Sequence, residues 1–511
     1  MLSRILSCQC SGTLKLFGVK DDPQNKGCDY KFYRDNCLKH ENGRYTATLP
    51  WKTEHRSLPT NYEISRKIIR SMVKKLTSDT RLSYDNIISD QMSRGFIERV
   101  ENHDPTSGHY IPHHPVYKES ATTPIRIVYD CSCKQGDKPS LNDCLDTGPS
   151  MINNLVEILF RFRLHEIAFV SDIEKAFLNI QLDEKDRNYT KFLWLSDSSD
   201  PNSHFDVYRF KAVLFGSVSS PFILNAVVKS HLEQHSTPIA ADLQNNIYVD
   251  NVISATETEV YAISYYTESV KLLQSAGFKL RSWNTNNANL KALAVQDNND
   301  DSDSEVKTLG MRWQTEKDKL MFPQKPQFIQ SQMCTKRDIV KCAATFFDPL
   351  GIMSPVTIKA KIFIQDLWSK QVPWDEPLSD ELVSEWNQIC SDMDACRNLT
   401  IDRRYFTSND HSKRRLHVFS DASMKAYGAV AYMTQGHDVS FVITKTRVKP
   451  LKEITVPRLE LLASVIATQL TQLILKALPI VFEEITLWSD SQIALYWILS
   501  DKKLPYLFKI A

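Results

Sequence analysis

Two short apolar runs, each closing on an aspartate, constrain the folding of this 511-residue chain more than any other feature. The first is Ala168-Phe169-Val170-Ser171-Asp172, which continues into Ile173-Glu174-Lys175-Ala176-Phe177. The second is Ile247-Tyr248-Val249-Asp250-Asn251-Val252-Ile253, where a polar pair interrupts an apolar stretch, as at the tip of a hairpin. Short apolar runs of this kind read as buried strands. The fixed end of such a strand holds a carboxylate in one place, which a loop cannot do. Between the two lies Val213-Leu214-Phe215-Gly216-Ser217-Val218-Ser219-Ser220-Pro221, a Gly/Ser turn leading into an apolar helix. Small residues there let a ligand approach the backbone closely.

Length and composition set the frame. At ordinary domain size the chain holds roughly three domains, and a 42% hydrophobic fraction supplies several cores. A net charge of +1 excludes a globally basic field, so any grip on phosphate must come from local Lys and Arg patches. The 11 cysteines include no Cys-x2-Cys pair of the zinc type. Cys8/Cys10 and Cys131/Cys133 are read as free thiols of a reducing compartment. Arg4 precedes an apolar run broken by Ser, Cys and Gln, a poor signal peptide, and no later stretch is expected to span a membrane. The expectation is an intracellular, cytoplasmic chain without a membrane partner.

Residues 1–61 are rich in turn formers and are expected to be irregular. Ile64, Ile68, Met72 and Leu76 then recur at helical spacing. A second helix is expected over Tyr84 to Val100, and Ile125–Tyr129 reads as a strand. Asp297 to Glu305 is acidic and without apolar residues, so it is read as a solvated loop with no metal role. Arg414-Arg415-Leu416-His417-Val418-Phe419 opens a new α/β pattern. Two decoys are set aside. Asp146-Thr147-Gly148 matches an aspartic-protease triplet but is followed by Pro149, and His109 and His113 enclose Pro112, which denies them a zinc-binding helix.

Two-metal phosphoryl transfer needs carboxylates from distant parts of a chain, and Mg²⁺ accepts two or three of them while keeping some waters. Asp172 and Asp250 fit that need. A second set follows: Val418-Phe419-Ser420-Asp421-Ala422-Ser423, Arg458-Leu459-Glu460-Leu461-Leu462 and Leu487-Trp488-Ser489-Asp490-Ser491. Taken singly, each Asp reads as a turn or cap residue and Glu460 as a surface residue of a helix. Order and spacing raise the set above its members.

These motifs resemble the reverse transcriptases of LTR retroelements, in particular the BEL/Pao group. Asp172 to Phe177 is similar to the first catalytic motif, Phe215 to Pro221 to the template-contacting motif, and Tyr248-Val249-Asp250-Asn251 to the Tyr-x-Asp-Asp box. Further segments are collinear with the group. They include Gly108-His109-Tyr110-Ile111-Pro112-His113-His114, Ser140-Leu141-Asn142-Asp143-Cys144-Leu145, Leu280-Arg281-Ser282-Trp283, Leu309-Gly310-Met311-Arg312-Trp313 and Phe347-Asp348-Pro349-Leu350-Gly351. The C-terminal set resembles a type 1 ribonuclease H, with Asp421, Glu460 and Asp490 on its first three carboxylates.

The resemblance implies an α+β, right-hand polymerase followed by a truncated ribonuclease H-like α/β domain. Fingers and palm would cover residues 62–295, a thumb or connection-like segment 296–412, and the nuclease-like part 413–511. It implies that Asp172 and Asp250 bind Mg²⁺ or Mn²⁺, and that Asp421, Glu460 and Asp490 do so in the nuclease. Phe177 would exclude a 2′-hydroxyl, Arg126 would contact the triphosphate, Phe215 and Gly216 would lie along the nascent pair, and Leu309-Gly310 would hold the primer end. Partners would be an RNA or DNA template–primer and deoxynucleoside triphosphates. Asn251 departs from the commoner Asp and removes one negative charge. The alternative is therefore a catalytically decayed, nucleic-acid-binding remnant.

Overall fold

The computed structural model describes residues 28–117, 125–301, 305–322, 334–407 and 413–500. Its N-terminal half is organised around one strand, Ile167–Ile173. Asn251–Thr256 pairs antiparallel with it on one side and Leu280–Thr285 on the other, and Ile247–Tyr248 extends the sheet beyond Asn251–Thr256. Ile167 to Val170 are all buried, so the strand reads as one apolar run rather than an alternation. The helix Ser220–Leu232 follows the Gly/Ser turn, starts with Pro at its first turn, and buries Phe222, Ile223, Leu224, Ala226, Val227 and Val228.

The upstream region departs from expectation at two places. Tyr30–Cys37 is a helix and Leu38–Glu41 forms a hairpin with Arg44–Ala47, so the expected irregular segment is structured from Tyr30 onward. The hairpin is held by parallel pairing of Arg44–Ala47 with Gln181–Leu182, a non-local contact that local turn formers do not announce. Cys8 and Cys10 lie outside the described residues. The helix Tyr62–Lys75 stands where expected, but its buried face is Ser65, Ile69 and Val73, one position beyond the Ile64, Ile68 and Met72 stripe, and Ile68 is exposed. The next one runs over Ser78–Ser93, capped by the Thr77 side chain, and Ile97–Arg99 is a strand paired with Phe205–Phe210. The expected Tyr84 to Val100 helix is thus shifted toward the N-terminus. Gly95, at φ 72, ends it.

The C-terminal sheet pairs Arg414–Ala422 with Ala426–Gln435, that strand with Asp438–Val448, and Glu484–Trp488 in parallel with the first. The helix Val456–Ala477 covers one face with Leu459, Ala463, Ile466, Leu470 and Ile474. Its 22 residues are long and apolar enough to cross a membrane, which corrects the expectation that no such stretch exists. Its apolar stripe is spent on the nuclease-like core, so burial explains its composition.

That core is continuous with the polymerase-like half. It joins Val156, Leu159 and Phe162, the Trp313 strand and the C-terminal sheet. Two buried arginines stitch the seam. Arg163 donates to the carbonyls of Arg403 (3.0 Å) and Phe441 (2.8 Å). Arg403 donates to His165 O (2.9 Å) and Glu166 O (2.8 Å) and pairs with Asp318 at 2.6 Å. Between the halves, Lys336–Ala344, Ser354–Ser369 and Asp380–Ala395 form a separate helical core around Ile339, Phe363 and Trp386.

Candidate functional site

Tyr248 pairs with Asn251, which leaves Val249 and Asp250 as a two-residue turn. Val249 sits at φ 58. For a β-branched residue that region is strained, typically by about 1–3 kcal/mol, and such strain concentrates at functional sites. The turn is clamped to the central strand, since Ile173 N donates to Asp250 O at 2.7 Å. Asn251 stands in register opposite Asp172. The two aspartates therefore meet at the end of adjacent strands. Burial, and then the charge of Asp172, raises the Asp250 carboxyl above its ordinary range, while Arg126 opposes the shift.

Each aspartate already has a partner. Arg281, in register with Asp172, donates Nε to its Oδ2 at 3.1 Å. Asn251 donates Nδ2 to Asp250 Oδ1 at 3.0 Å. The Leu280–Thr285 strand bulges between Arg281 and Asn284, with Ser282 at φ 54. Bulges of this kind re-aim side chains beside functional sites.

Both aspartates line an open cleft of about 730 Å³, with Asn251, Asp301, Glu305, Lys307 and Arg312 on its other walls. The acidic segment is therefore not wholly a solvated loop. Asp301 N donates to Trp283 O at 3.3 Å, which lays the described end of the segment beside the palm sheet, and Asn299 is buried. Glu305 pairs with Arg312 at 3.1 Å. Residues 302–304 lie outside the described residues.

Phe177 lies in the short turn Ala176–Asn179 with its ring edge-on to Phe215, centroids 4.7 Å apart. Phe177 is buried, while Phe215 is 47% exposed. Gly216 has φ +102, and a Cβ there would stand 2.3 Å from Tyr129 O, so only glycine fits. Asn142 splints this turn: its Nδ2 donates to Gly216 O (3.1 Å) and its Oδ1 accepts from Val218 N (2.9 Å). Arg126 is exposed on the Ile125–Tyr129 strand. Leu309 and Gly310, at φ 51 and 84, form a tight hairpin turn between Glu305–Thr308 and Met311–Gln314.

The second set converges as well. Asp421 ends a strand, Glu460 lies in the first turns of Val456–Ala477, and Asp490 follows the strand Glu484–Trp488. Parallel pairing of Phe419 with Trp488 brings the two strand ends side by side. One oxygen from each of the three carboxylates lies within 4.8 Å of the others. Glu460 is only 7% exposed and its Oε2 is buried without a hydrogen-bond partner, unlike a surface helix residue. Burial, then the charges of Asp421 and Asp490, raises its carboxyl. A hard divalent cation suits this all-oxygen donor set and would satisfy the orphaned oxygen.

The decoys fall elsewhere. Asp146 accepts from the backbone N–H of Cys28 and Gly148, and Gly148 is packed against the Phe222 ring. His113 is buried between Tyr84 OH and Leu193 O, and His109 is bonded to Pro59 O. Sequence reasoning gave no role to Arg281, Asn142 or Asp301. Arg281 and Asn142 stand inside quoted motifs, but their partners come from strand register and a distant turn.

Residues 128–313 match the family model described as reverse transcriptase (RNA-dependent DNA polymerase). Residues 335–491 match the Pao retrotransposon-like RNaseH-like domain. No curated protein matches the chain. Among solved structures, a foamy viral protease-reverse transcriptase (dRH) in complex with double-stranded DNA is 17% identical at TM-score 0.56, over 83% of this chain and 64% of that one. The foamy viral protease-reverse transcriptase with an RNA/DNA hybrid is 15% identical at TM-score 0.52, over 82% and 50%. The same protein with double-stranded DNA is 14% identical at TM-score 0.51, over 97% and 87%. The chain thus spans less than two thirds of the first two structures, and these likenesses speak for the fold. With its reverse transcriptase domain followed by a Pao-type RNaseH-like domain, the chain belongs to the BEL/Pao retrotransposon polyproteins.

Proposed function

We propose that the chain is an RNA-directed DNA polymerase that extends a primer on an RNA or DNA template, with an attached nuclease acting on the hybrid. The carrying observation is that Asp172 and Asp250, from separate strands, meet in one open cleft. Reverse transcriptases use divalent metal ions, and Mg²⁺ or Mn²⁺ held by these two carboxylates would lower the barrier to attack of the primer 3′-oxygen on the α-phosphorus. The bond to the β-phosphate breaks and pyrophosphate leaves. Asp172 would have to leave its contact with Arg281 to hold a metal ion, and Asn251 orients Asp250 by its hydrogen bond. Phe177, braced by Phe215, fills the space a ribose 2′-hydroxyl would need. Arg126 meets the triphosphate as a planar donor array. Leu309-Gly310 supports the primer end. Asp421, Glu460 and Asp490 would hold the divalent ions of the nuclease, since their carboxylate oxygens converge within 4.8 Å.

Support for the substrate comes from the foamy viral relatives, whose structures hold double-stranded DNA and an RNA/DNA hybrid. Free cysteines fit a cytoplasmic setting. The test is extension of a DNA primer on an RNA template with Mg²⁺ or Mn²⁺, by the chain and by Asp172→Asn. Extension by the chain and none by the variant is expected. Template–primer binding without extension by the chain itself would instead make it a binding remnant.

A further inference from the structure

The Phe347-Asp348-Pro349-Leu350-Gly351 segment belongs to neither carboxylate set, yet it touches both halves of the chain. At its start, the Phe347 ring lies on the Leu309-Gly310 turn, where a Cβ on Gly310 would stand 2.3 Å from the ring carbons. At its end, the segment docks on the strand Asp438–Val448 of the C-terminal sheet. Thr444 N donates to Leu350 O at 2.8 Å, and a Cβ on Gly351 would stand 2.0 Å from Thr444 O. Between these contacts Asp348 accepts from the backbone N–H of Ile352 (3.0 Å) and Met353 (2.6 Å), just ahead of the helix Ser354–Ser369. A loop pinned at its middle and its end holds its first residue still.

The turn needs such a hold. Leu309 and Gly310 both have positive φ, 51 and 84, a conformation that Asn-Gly or Gly-Gly ordinarily supplies. A leucine there is strained, and strain of that kind persists only where the surroundings impose it. Leu309 packs into the core shared by the two halves, as does Ile352 just beyond the segment, and the Phe347 ring covers Gly310. The strands joined by the turn, Glu305–Thr308 and Met311–Gln314, place Glu305, Lys307 and Arg312 on the wall of the cleft that holds Asp172 and Asp250. A shift of the turn is therefore a shift of that wall. Phe347 itself is 47% exposed, so trimming its ring costs the fold little.

We propose that Phe347 is a positioning residue for the primer end. Its ring, pinned through the loop to the nuclease-like sheet, fixes the Leu309-Gly310 turn against which the primer 3′-terminus is seated. This rests on the polymerase reading, in which that turn supports the primer end, and adds the part that holds the turn in place.

The test uses the full chain and a DNA primer annealed to an RNA template, with 2-aminopurine as the terminal primer base. Its fluorescence reports seating of the terminus without any chemistry. Duplex affinity, the extension rate at saturating deoxynucleotide and the melting temperature are measured alongside. The variants are Phe347→Ala, Phe347→Tyr, Gly310→Ala and the double variant Gly310→Ala/Phe347→Ala. Phe32→Ala, at an exposed position of the helix Tyr30–Cys37, is the control. Phe347→Ala should change the terminal fluorescence and slow extension on the order of tenfold, the scale expected of a displaced reacting group. Duplex affinity, set by phosphate contacts along its length, should stay the same, and so should the melting temperature. Phe347→Tyr should restore both readouts, and Phe32→Ala should leave them unchanged. Gly310→Ala should cost less once the ring is gone, because part of its cost is the clash with that ring. Equal extension and equal terminal fluorescence in the chain and Phe347→Ala overturn the proposal. A loss that only mirrors a fall in melting temperature or duplex affinity overturns it as well. A chain that seats the terminus and follows the pattern of variants without extending it contradicts the polymerase reading alone. A terminus that no form of the chain seats overturns both.

Discussion

The polymerase cleft and the nuclease triad present the same kind of side chain under different restraint. In the cleft, Asp172 is paired with Arg281 and Asp250 with Asn251, so neither carboxylate faces the other without a donor in place. In the triad, three carboxylates crowd within 4.8 Å, and the most buried oxygen, on Glu460, has no donor at all. The cleft is poised yet occupied by its own side chains, whereas the triad stores repulsion that a cation would relieve. Metal-free, the first should be the more stable arrangement and the second the stronger cation trap.

The largest effect expected is on chemistry. Asp250→Asn removes a carboxylate of the cleft, so primer extension should fall at least about a thousandfold, the scale of losing several kcal/mol of transition-state stabilisation. Cleavage of a hybrid should not change, and a parallel fall in both activities would break the separation of the two sites. Next in size is sugar selectivity. Phe177→Ala opens the space beside Phe215, and incorporation of ribonucleotides relative to deoxynucleotides should rise on the order of tenfold to a hundredfold. An unchanged ratio removes the role given to the ring.

Metal binding sharpens the comparison more directly. Without nucleic acid, Mn²⁺ should bind the triad more tightly than the cleft, and Asp421→Asn should remove the tighter phase of a titration. Arg281→Gln frees Asp172 from a half-exposed ion pair, an interaction worth up to about 1 kcal/mol. Cleft affinity should therefore rise severalfold, and a fall would show that Arg281 organises the site instead of competing for it.

The smallest effect is on stability. The Glu460 carboxyl is raised in the folded chain, so ionising it at neutral pH costs folding free energy. Glu460→Gln should therefore stabilise the metal-free chain, read as a rise in its melting temperature. The gain should shrink as the pH falls below the raised value and be gone below the ordinary carboxylate range, where Glu460 is protonated in both the folded and the unfolded chain. A destabilised variant in chelator would contradict the stored repulsion.

The sequence was most legible where one residue type carries both burial and position. The Ile167–Ile173 strand is buried on both faces, and Arg414–Phe419 opens the α/β pattern that its sheet completes, so both are legible from their apolar residues. The Leu38–Ala47 hairpin was missed because its support, Gln181–Leu182, lies far along the chain. The apolar helical run around Glu460 is legible in the sequence, but its 22-residue extent, enough to cross a membrane, is not. Within the sites, residue types were readable and partners were not. Arg281 meets Asp172 only through strand register, and Asp301 reaches the cleft only because its backbone follows Trp283.

One experiment bears most directly on the central claim, that two independent carboxylate centres act on one nucleic acid. A primer annealed to an end-labelled RNA template, with Mg²⁺ and deoxynucleotides, reports extension and RNA cleavage in the same tube. Across the chain, Asp250→Asn and Asp421→Asn, the account requires extension by the chain and by Asp421→Asn, and none by Asp250→Asn. Whatever cleavage the chain shows must disappear with Asp421→Asn alone. Undiminished extension by Asp250→Asn, or no extension by a folded chain that binds the template–primer, would contradict it.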